Sequence, residues 1–368
     1  EYTLSNMLIE YNPFGTNTQS LYVYFETDSA VKVSYTIHVK EDDIADFSRN
    51  VYQDEEYQKE HEFQVIGLSP DTENTITFYI TNEDGSTDTK EIVYEMGSLY
   101  GEEAVQLDTD VKQSADKLED GLYVVLGNDS PSMDFMYYYD NNGVLRGEVP
   151  LLGYRSHRLI FDENSMYYSI SEKKMAQVNR LGQVTKVYDL GNYKLYHDYV
   201  FDENGNMLIL ATDTTQDSVE DIVLKLDVNS GEVTEVLDLG DLFGEYKKTC
   251  VKNSSDELDW MHINTIQYIG NGSVLLSSRE TSTIIKVDNI YDGPVVSYII
   301  GEKDFWKDTS YVSLLLNKKG DFTIQGGQHT ITYETDESLA DGQYYLYMFD
   351  NNIGISETRP DYDWSSIG

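Results

Sequence analysis

The chain has 368 residues and a mass of 42.1 kDa, and 66 acidic against 26 basic side chains give it a formal net charge of −40. This charge excludes nucleic acid as a partner, because nucleic-acid affinity depends on cationic side chains that neutralise phosphates. It excludes an anionic membrane surface for the same reason. Hydrophobic residues make up 40% of the chain, which therefore predicts a folded protein. No apolar run is long enough to predict insertion into a membrane.

Cysteine content and the N-terminal residue bear on the compartment. Cys250 is the only cysteine, so no internal disulfide can form, and no Cys/His pair at short spacing predicts a structural zinc site. The chain begins at Glu1 without an initiator methionine or a signal peptide. We therefore expect a mature fragment of a longer precursor that is extracytoplasmic, either periplasmic, secreted or on the cell surface. A trimmed cytosolic protein is the alternative.

The chain is predicted to be all-β, and its first part, residues 1–97, is predicted to form a β-sandwich. Residues 67–76 resemble the E–F corner of fibronectin III domains, with Asn74 where those domains usually carry tyrosine. The acidic stretches 41–60 and 110–117 are predicted to be short helices, and 98–119 a linker. Alternation of β-branched and aromatic residues predicts strands near 20–25, 31–39, 61–66, 74–81 and 88–95.

The second part, residues 120–368, repeats a pattern of antiparallel strands and predicts a β-propeller. Each of four segments starts a strand with histidine and continues into a hairpin turn; the histidines are His157, His197, His262 and His329. Because blades surround one axis, equivalent positions converge at one mouth of the channel, and the four histidines are predicted to share a pocket. The alternative is a histidine that hydrogen-bonds a neighbouring blade, which is strongest for His157.

An arginine is predicted to join this pocket. If the turn that follows His262 is centred on residues 270–272, strand pairing returns Arg279 to His262. Imidazoles and one guanidinium, without a carboxylate cluster, suit a tetrahedral oxyanion: arginine offers forked donors, and histidine can attack or transfer a proton. An exposed, salt-bridged arginine is one alternative. A metal site is the other, and Arg279 argues against it.

Together these motifs resemble the arylsulfate sulfotransferase family of bacteria. The resemblance covers the sandwich and the propeller and rests on Tyr196-His197-Asp198, Asp259 to Asn264, Ser278-Arg279 and Gln328-His329-Thr330. It implies a six-bladed propeller with the site in its channel, and transfer of a sulfuryl group from a phenolic sulfate ester to a phenol. It also implies a ping-pong mechanism through a sulfohistidine, without the nucleotide donor PAPS. With 39 residues after His329, we expect the propeller to be incomplete and its C-terminal part to be missing.

The resemblance also assigns roles to the catalytic candidates. His329 matches the nucleophile, His262 and Arg279 match the groups that hold the sulfuryl oxygens, and His197 matches a stabilising or proton-transfer residue. Relatives carry a disulfide near the nucleophile, which the single cysteine of this chain cannot form.

The predicted ligands are a phenolic sulfate donor and a phenol acceptor, with no cofactor and no metal. Asn264 is predicted to be a further donor to the sulfuryl group, and Tyr196 and Trp260 are predicted to stack the aryl rings. A homodimer remains open. The alternative function is a non-catalytic surface propeller that binds sulfated or aromatic ligands. A hydrolase or lyase would require a metal or a carboxylate pair that the sequence does not predict.

Overall fold

The computed structural model describes residues 2–52, 56–107, 118–129 and 133–367, and these residues are almost entirely strands and turns. The helix predicted over 110–117 lies outside them. The chain divides into two compact units, residues 1–171 with 175–187 and residues 172–174 with 188–368. Within the described ranges, no helix is both long enough and apolar enough to span a bilayer.

The N-terminal domain is all-β. Its strands are β1 (Leu8–Tyr11), β2 (Ser20–His38), β3 (Phe47–Asn50), β4 (Gln58–Ile66), β5 (Glu73–Asn82) and β6 (Thr87–Glu95). The first two predicted strands are one strand, β2, whose first half pairs with β1 and β4 and whose second half pairs with β3 and β5. Alternate side chains of β2, such as Leu21, Val23 and Phe25, are fully buried, because successive residues of a strand face opposite sides.

Two local predictions in this domain have different outcomes. No helix forms in 41–52 and 56–60, where β3 and the start of β4 lie instead, so the helix predicted over the described part of 41–60 is wrong. The acidic composition was misleading, because Phe47 is buried in the core of the domain. Asn74 is fully buried; its side chain accepts a hydrogen bond from Ser69 N and donates to Ser69 O. The amide thus closes the corner where related domains use tyrosine.

The first unit also contains two further sheets. One is three-stranded, with β7 (Leu122–Asp129), β8 (Met133–Asp140) and β9 (Leu145–Leu152). The other is a four-stranded meander that lies almost wholly in this unit, with β10 (Leu159–Asp162), β11 (Ser165–Ser171), β12 (Lys174–Asn179) and β13 (Val184–Asp189). Arg146, which is 1% exposed, donates to Asp140 Oδ2 and to the carbonyl oxygens of Gly67 and Ala45. It ties β9 to loops of the N-terminal domain.

The second unit contains two four-stranded meanders and a two-stranded sheet. The strands are β14 (Tyr193–Phe201), β15 (Met207–Asp213), β16 (Ile222–Leu226), β17 (Val233–Asp238), β18 (Ile263–Gly270), β19 (Ser273–Ser278), β20 (Thr283–Asp288), β21 (Val295–Ile300), β22 (His329–Glu334) and β23 (Tyr345–Phe349). Short helices lie between them or follow them: α1 (Leu239–Leu242), α2 (Gly244–Lys247), α3 (Lys303–Trp306) and the 3-10 turns Ser310–Leu314 and Trp364–Ser366.

The sheets of this unit are antiparallel and follow one another along the chain, which is compatible with the predicted propeller. β15 is buried on both faces, as its continuous apolar run from Met207 to Ala211 requires. The first strands of successive sheets, β14, β18 and β22, pack side by side. Innermost strands of successive blades are neighbours in this way. Closure of a complete ring remains a prediction.

Candidate active site

Three of the four repeat histidines meet in the second unit. His197 Nε2 lies 3.1 Å from His262 Nε2. The ring of His329 meets that of His197 edge-on, with 5.4 Å between the ring centroids. His157 belongs to the first unit, where its ring lies 6.2 Å from that of Tyr154, centroid to centroid. A place for His157 in the site remains a prediction.

Two of these histidines have an unusual backbone. His197 and His262 have φ angles of 51° and 47°, a left-handed conformation that few residues other than glycine adopt. His197 lies where the pairing of β14 with β15 shifts register, and His262 immediately precedes β18, whose pairing with β19 shifts after Ile263. Such irregularities re-aim side chains and are frequent beside active sites. As a result, neither imidazole follows the regular alternation of side chains between the two faces of a strand.

Side chains next to the histidines tie the three strands together. Asp198 Oδ2 accepts a hydrogen bond from Ile266 N at 3.1 Å, which links β14 to β18. Thr265 Oγ1 accepts one from Thr330 N at 2.9 Å, which links β18 to β22. Each link lies within three residues of a site histidine. The separation of the three imidazoles is therefore set by buried or half-buried hydrogen bonds rather than by exposed loops.

Two carboxylates adjoin the imidazoles, and the expectation of a site without a carboxylate cluster is wrong. Asp259 Oδ2 accepts a hydrogen bond from His262 Nδ1 at 2.6 Å. Glu220 Oε2 lies 3.0 Å from His262 Nδ1 and 3.3 Å from His197 Nε2. Both acidic side chains are only 10% exposed. The sequence contains a signal for Asp259, which lies three residues before His262. It contains none for Glu220, which follows β15 in a stretch that does not repeat.

These contacts change the charge of the cluster. Burial alone would lower the pKa of His262, but the neighbouring Asp259 and Glu220 raise it above its usual range. Burial would raise the pKa of Glu220, whereas His197 and His262 lower it. Burial raises the pKa of Asp259 despite the hydrogen bond from His262, so Glu220 is the more firmly ionised partner. The result is a cationic His262 held by a buried carboxylate.

Arg279 lies where the hairpin pairing predicts it. Its backbone N–H donates to His262 O at 3.2 Å, and Ile263 pairs with Ser278. Its Nε and Nη2 lie 3.2 and 2.7 Å from Glu280 Oε1, and Nη2 lies 3.9 Å from Asp259 Oδ2. Among the residues whose contacts are described, Nη1 has no partner, and the side chain is 33% exposed. One edge of the guanidinium is thus open to a ligand.

His329 differs from His262 in its charge. It is the first residue of β22, and its Nδ1 lies 2.8 Å from Thr330 Oγ1. Burial and the positive charges of His197, His262 and Arg279 lower its pKa to about 4. The imidazole is therefore neutral near pH 7. In the tautomer in which Nδ1 donates its proton to Thr330 Oγ1, the lone pair lies on Nε2.

The residues predicted to bind substrate have different positions. Trp260 is fully buried, and its Nε1 donates to Asp221 Oδ2 at 2.8 Å, so the prediction that its ring stacks a substrate is wrong. Asn264 is 1% exposed and donates from Nδ2 to Gln328 O at 2.8 Å, which makes it a support for the segment before His329. Tyr196 is half-buried beside His197 and remains a candidate for stacking an aryl ring.

The same cluster has the composition of a metal site. One ligand atom each from His197, Glu220 and His262 lies within 4.8 Å of the others. The cluster as a whole combines a neutral imidazole, a cationic imidazole and an open guanidinium edge. This arrangement can bind a tetrahedral oxyanion and place a nucleophile beside it.

Two solved structures are remotely similar to the chain. An auxiliary nutrient binding protein from Bacteroides thetaiotaomicron is 10% identical, with 94% of this chain and 81% of that chain covered and a TM-score of 0.35. Saccharomyces cerevisiae Sqt1 is 8% identical, with 95% and 80% covered and a TM-score of 0.36. Similarities at this level carry no argument about function. A search of curated protein sequences finds no match to the chain.

Family models give a definite result. The model described as Arylsulfotransferase Ig-like domain matches residues 8–97. The model described as Arylsulfotransferase (ASST) matches residues 107–367, which is more than half of the chain and includes the three clustered histidines and Arg279. The chain therefore belongs to the arylsulfotransferase family.

Proposed function

We propose that this arylsulfotransferase moves a sulfuryl group from a phenolic sulfate ester to a phenol through a sulfohistidine at His329, without PAPS. The observation that carries the proposal is a neutral imidazole, His329, next to a cationic imidazole and a guanidinium with an open edge. Neutral imidazole is the nucleophilic form. The cations His262 and Arg279 would hold the sulfuryl oxygens.

In the first half-reaction, His329 Nε2 attacks the sulfur of the aryl sulfate. The N–S bond forms while the bond from sulfur to the phenolic oxygen breaks, and that oxygen keeps the bonding electrons. A proton from the His197–His262 pair goes to the departing phenolate. Phenol has a pKa of about 10, so protonation makes it a better leaving group.

The second half-reaction reverses these bonds with a different phenol. The hydroxyl oxygen of the acceptor attacks the sulfur of the sulfohistidine, its O–S bond forms, and the N–S bond breaks. The proton of the acceptor returns to the His197–His262 pair, and His329 is again neutral. No net oxidation occurs, and no nucleotide is needed, because the first phenolic ester supplies the sulfuryl group.

In this proposal, cations that are already fixed in position speed up the sulfuryl transfer by stabilising the charge on the transferred group. Negative charge stays on the three sulfuryl oxygens during the transfer, as it does in phosphoryl transfer. His262 is held by Asp259 and Glu220, and Arg279 by Glu280, so neither cation has to reorganise when the substrate reacts. The carboxylates thus have a positioning role that the sequence does not predict.

The test is to locate the covalent adduct. The protein is incubated with 4-nitrophenyl sulfate without acceptor, quenched in alkali, digested and analysed by peptide mass spectrometry. We expect one sulfuryl group on His329, a burst of nitrophenolate, and loss of both in His329→Asn, with the exposed His38→Asn as control. An adduct on His262 would refute the assignment to His329. Direct donor-to-acceptor transfer without an adduct would refute the sulfohistidine.

Two finer expectations belong to this proposal. Activity should survive dialysis against EDTA and the absence of PAPS, because His329 itself carries the sulfuryl group. If nitrophenolate is never released while aryl sulfates still bind, the ligand-binding alternative replaces the transferase.

An extracytoplasmic location also remains a prediction, which fractionation of the native host would test.

A further inference from the structure

We propose that His197, His262 and Glu220 form a binding site for a divalent transition-metal ion, Zn²⁺ above all, and that the bound ion inhibits the enzyme. The site consists of His197 Nε2, His262 Nε2 and the Glu220 carboxylate. One ligand atom from each of these residues lies within 4.8 Å of the others. Two histidines and one glutamate are an established zinc ligand set.

The spacing of the two nitrogens fits one shared ion. The Nε2 atoms of His197 and His262 are 3.1 Å apart. Two nitrogens that each lie 2.0–2.1 Å from a tetrahedral ion are separated by roughly 3.3 Å. A small outward movement of either ring therefore admits the ion, which replaces the hydrogen shared between the rings.

A carboxylate behind one ligand supports the same geometry. His262 Nδ1 donates to Asp259 Oδ2 at 2.6 Å, so the lone pair of the neutral ring would lie on Nε2, toward His197. Histidines that bind metals commonly donate their other nitrogen to a carboxylate, which fixes the tautomer and the ring orientation. Asp259 is thus in the position of an outer-shell partner.

Glu220 supplies an independent observation. Its side chain is nine-tenths buried, and its Oε2 is within ion-pair distance of both imidazoles yet forms no hydrogen bond of ordinary geometry. Buried polar atoms without a partner are rare and require an explanation. A cation between the histidines would give this oxygen a ligand contact in addition to its ion pairs with the two imidazoles.

Local charge favours a cation as well. The charge of Arg279 counts against a cation, but Glu280 Oε1 lies 2.7 Å from Arg279 Nη2 and partly offsets that charge. Glu220 and Asp259 remain as carboxylates beside the two imidazoles. The two imidazole ligands favour Zn²⁺ and Cu²⁺ over Ca²⁺ and Mg²⁺, which prefer oxygen ligands alone.

Inhibition is the part that rests on the proposed function. An ion at this place would engage His197 and His262, which are proposed to hold sulfuryl oxygens and to transfer protons. It would leave Arg279 and His329 outside its first coordination shell. Metal binding itself depends on no step of the reaction.

The binding test uses the full chain stripped with EDTA and titrated with ZnCl₂ against a chelator of known affinity, which separates a built site from the acidic surface. We expect one tight equivalent. Glu220→Gln or His197→Asn should weaken it about 100-fold or more, and Asp259→Asn about 10- to 100-fold. The controls His38→Asn and Glu73→Gln remove exposed side chains of the same types and should change nothing. Circular dichroism and melting temperature confirm that each variant is folded.

A second measurement needs no variant. Diethyl pyrocarbonate modifies accessible imidazoles, and peptide mass spectrometry should show that Zn²⁺ protects His197 and leaves His38 reactive. Equal affinity in the wild type and Glu220→Gln, equal losses in the control variants, or no protection of His197 would each overturn the site. Zn²⁺ bound tightly without loss of 4-nitrophenyl sulfate turnover would overturn the inhibition alone. An inactive protein that still binds Zn²⁺ would reject the proposed function and retain the site.

Discussion

The contact of Arg279 with Glu280 has two opposite consequences. Glu280 holds Nε and Nη2, which fixes the guanidinium plane but partly offsets its charge. Glu280 is itself 5% exposed and accepts further hydrogen bonds from Ser356 Oγ and Glu357 N. The side chain of Arg279 is therefore preorganised, with Nη1 as the donor still available to an anionic ligand.

Replacement of Arg279 should reduce catalysis far more than folding. Loss of one preorganised donor to the charged oxygens costs about 10²- to 10³-fold in rate, which we expect for kcat in Arg279→Ala. Arg279→Lys should restore only part of the rate, because lysine lacks the planar fork. Steady-state kinetics with 4-nitrophenyl sulfate measure both variants. Near wild-type turnover in Arg279→Ala would show that the guanidinium is not part of the site.

The site could be predicted from sequence only where its residues share a repeat. His197, His262 and His329 are each predicted to begin a strand that continues into a hairpin turn, and Arg279 follows from hairpin pairing. Glu220 has no such signal, because it enters from an irregular segment before β16, and only the packed fold brings it within 3.3 Å of His197. Trp260 was misassigned because an aromatic residue near a site is as readily core as ligand.

At the scale of elements, the segment before His329 is fastened to its neighbours by two amides. Gln328 is fully buried, and its Nε2 donates to Ser277 Oγ, Ser278 O and Thr283 O. Asn264 donates to the carbonyl oxygen of Gln328. His329 is thus positioned by hydrogen bonds from the preceding segment to β18, β19 and β20.

Asn264→Ala should therefore lower stability and rate together. The Gln328 carbonyl loses its 2.8 Å donor and keeps the longer, 3.3 Å hydrogen bond from Ser277 Oγ, and loss of one such hydrogen bond costs about 0.5–1.5 kcal/mol in the free energy of unfolding. Urea unfolding and kcat measure the two effects, with the exposed Asn229→Ala as control. A large loss of rate without any loss of stability would instead support the direct contact with substrate that the sequence predicts.

The N-terminal domain contains a histidine, His61, whose protonation should destabilise the pairing of β2 with β4. His61 on β4 is fully buried opposite Phe25 on β2 and stacks on it, with 4.8 Å between the ring centroids. Burial lowers its pKa to about 4, from about 6.5 in the unfolded chain. The folded state thus favours the neutral ring. This stabilisation is complete above pH 6.5 and is lost as the pH falls from 6.5 toward 4.

Local opening of these strands should show that dependence. Hydrogen exchange of β2 and β4 peptides, corrected for intrinsic rates, should report an opening free energy that falls by up to about 3 kcal/mol between pH 6.5 and 4. In His61→Gln the dependence should be nearly flat, because glutamine does not titrate. If the opening free energy of His61→Gln depends on pH as strongly as that of the wild type, carboxylates rather than His61 cause the effect.

At the scale of the whole molecule, strand alternation was enough to predict an all-β chain with an Ig-like N-terminal domain. The merging of two predicted strands was not predictable: residues 26–30 lie between the strands predicted near 20–25 and 31–39, yet β2 continues through them and changes partners from β4 to β5. Pairing between distant segments overrides local turn preference there. The net charge of −40, in contrast, follows from the sequence alone, and it acts on any charged ligand that approaches the molecule.

The net negative charge should slow association of the donor and leave association of the acceptor unchanged. An aryl sulfate is an anion and must approach a strongly negative protein, whereas a phenol is neutral. The Debye length shortens from about 30 Å at 0.01 M to about 8 Å at 0.15 M salt, so added NaCl screens the long-range repulsion more than contacts inside the site. We expect kcat/KM for 4-nitrophenyl sulfate to rise several-fold over this range while kcat/KM for the phenol stays constant. Initial rates with each substrate varied in turn measure both. A fall of the donor value with salt would mean that the local field of Arg279 and His262, rather than the overall charge, governs capture of the anion.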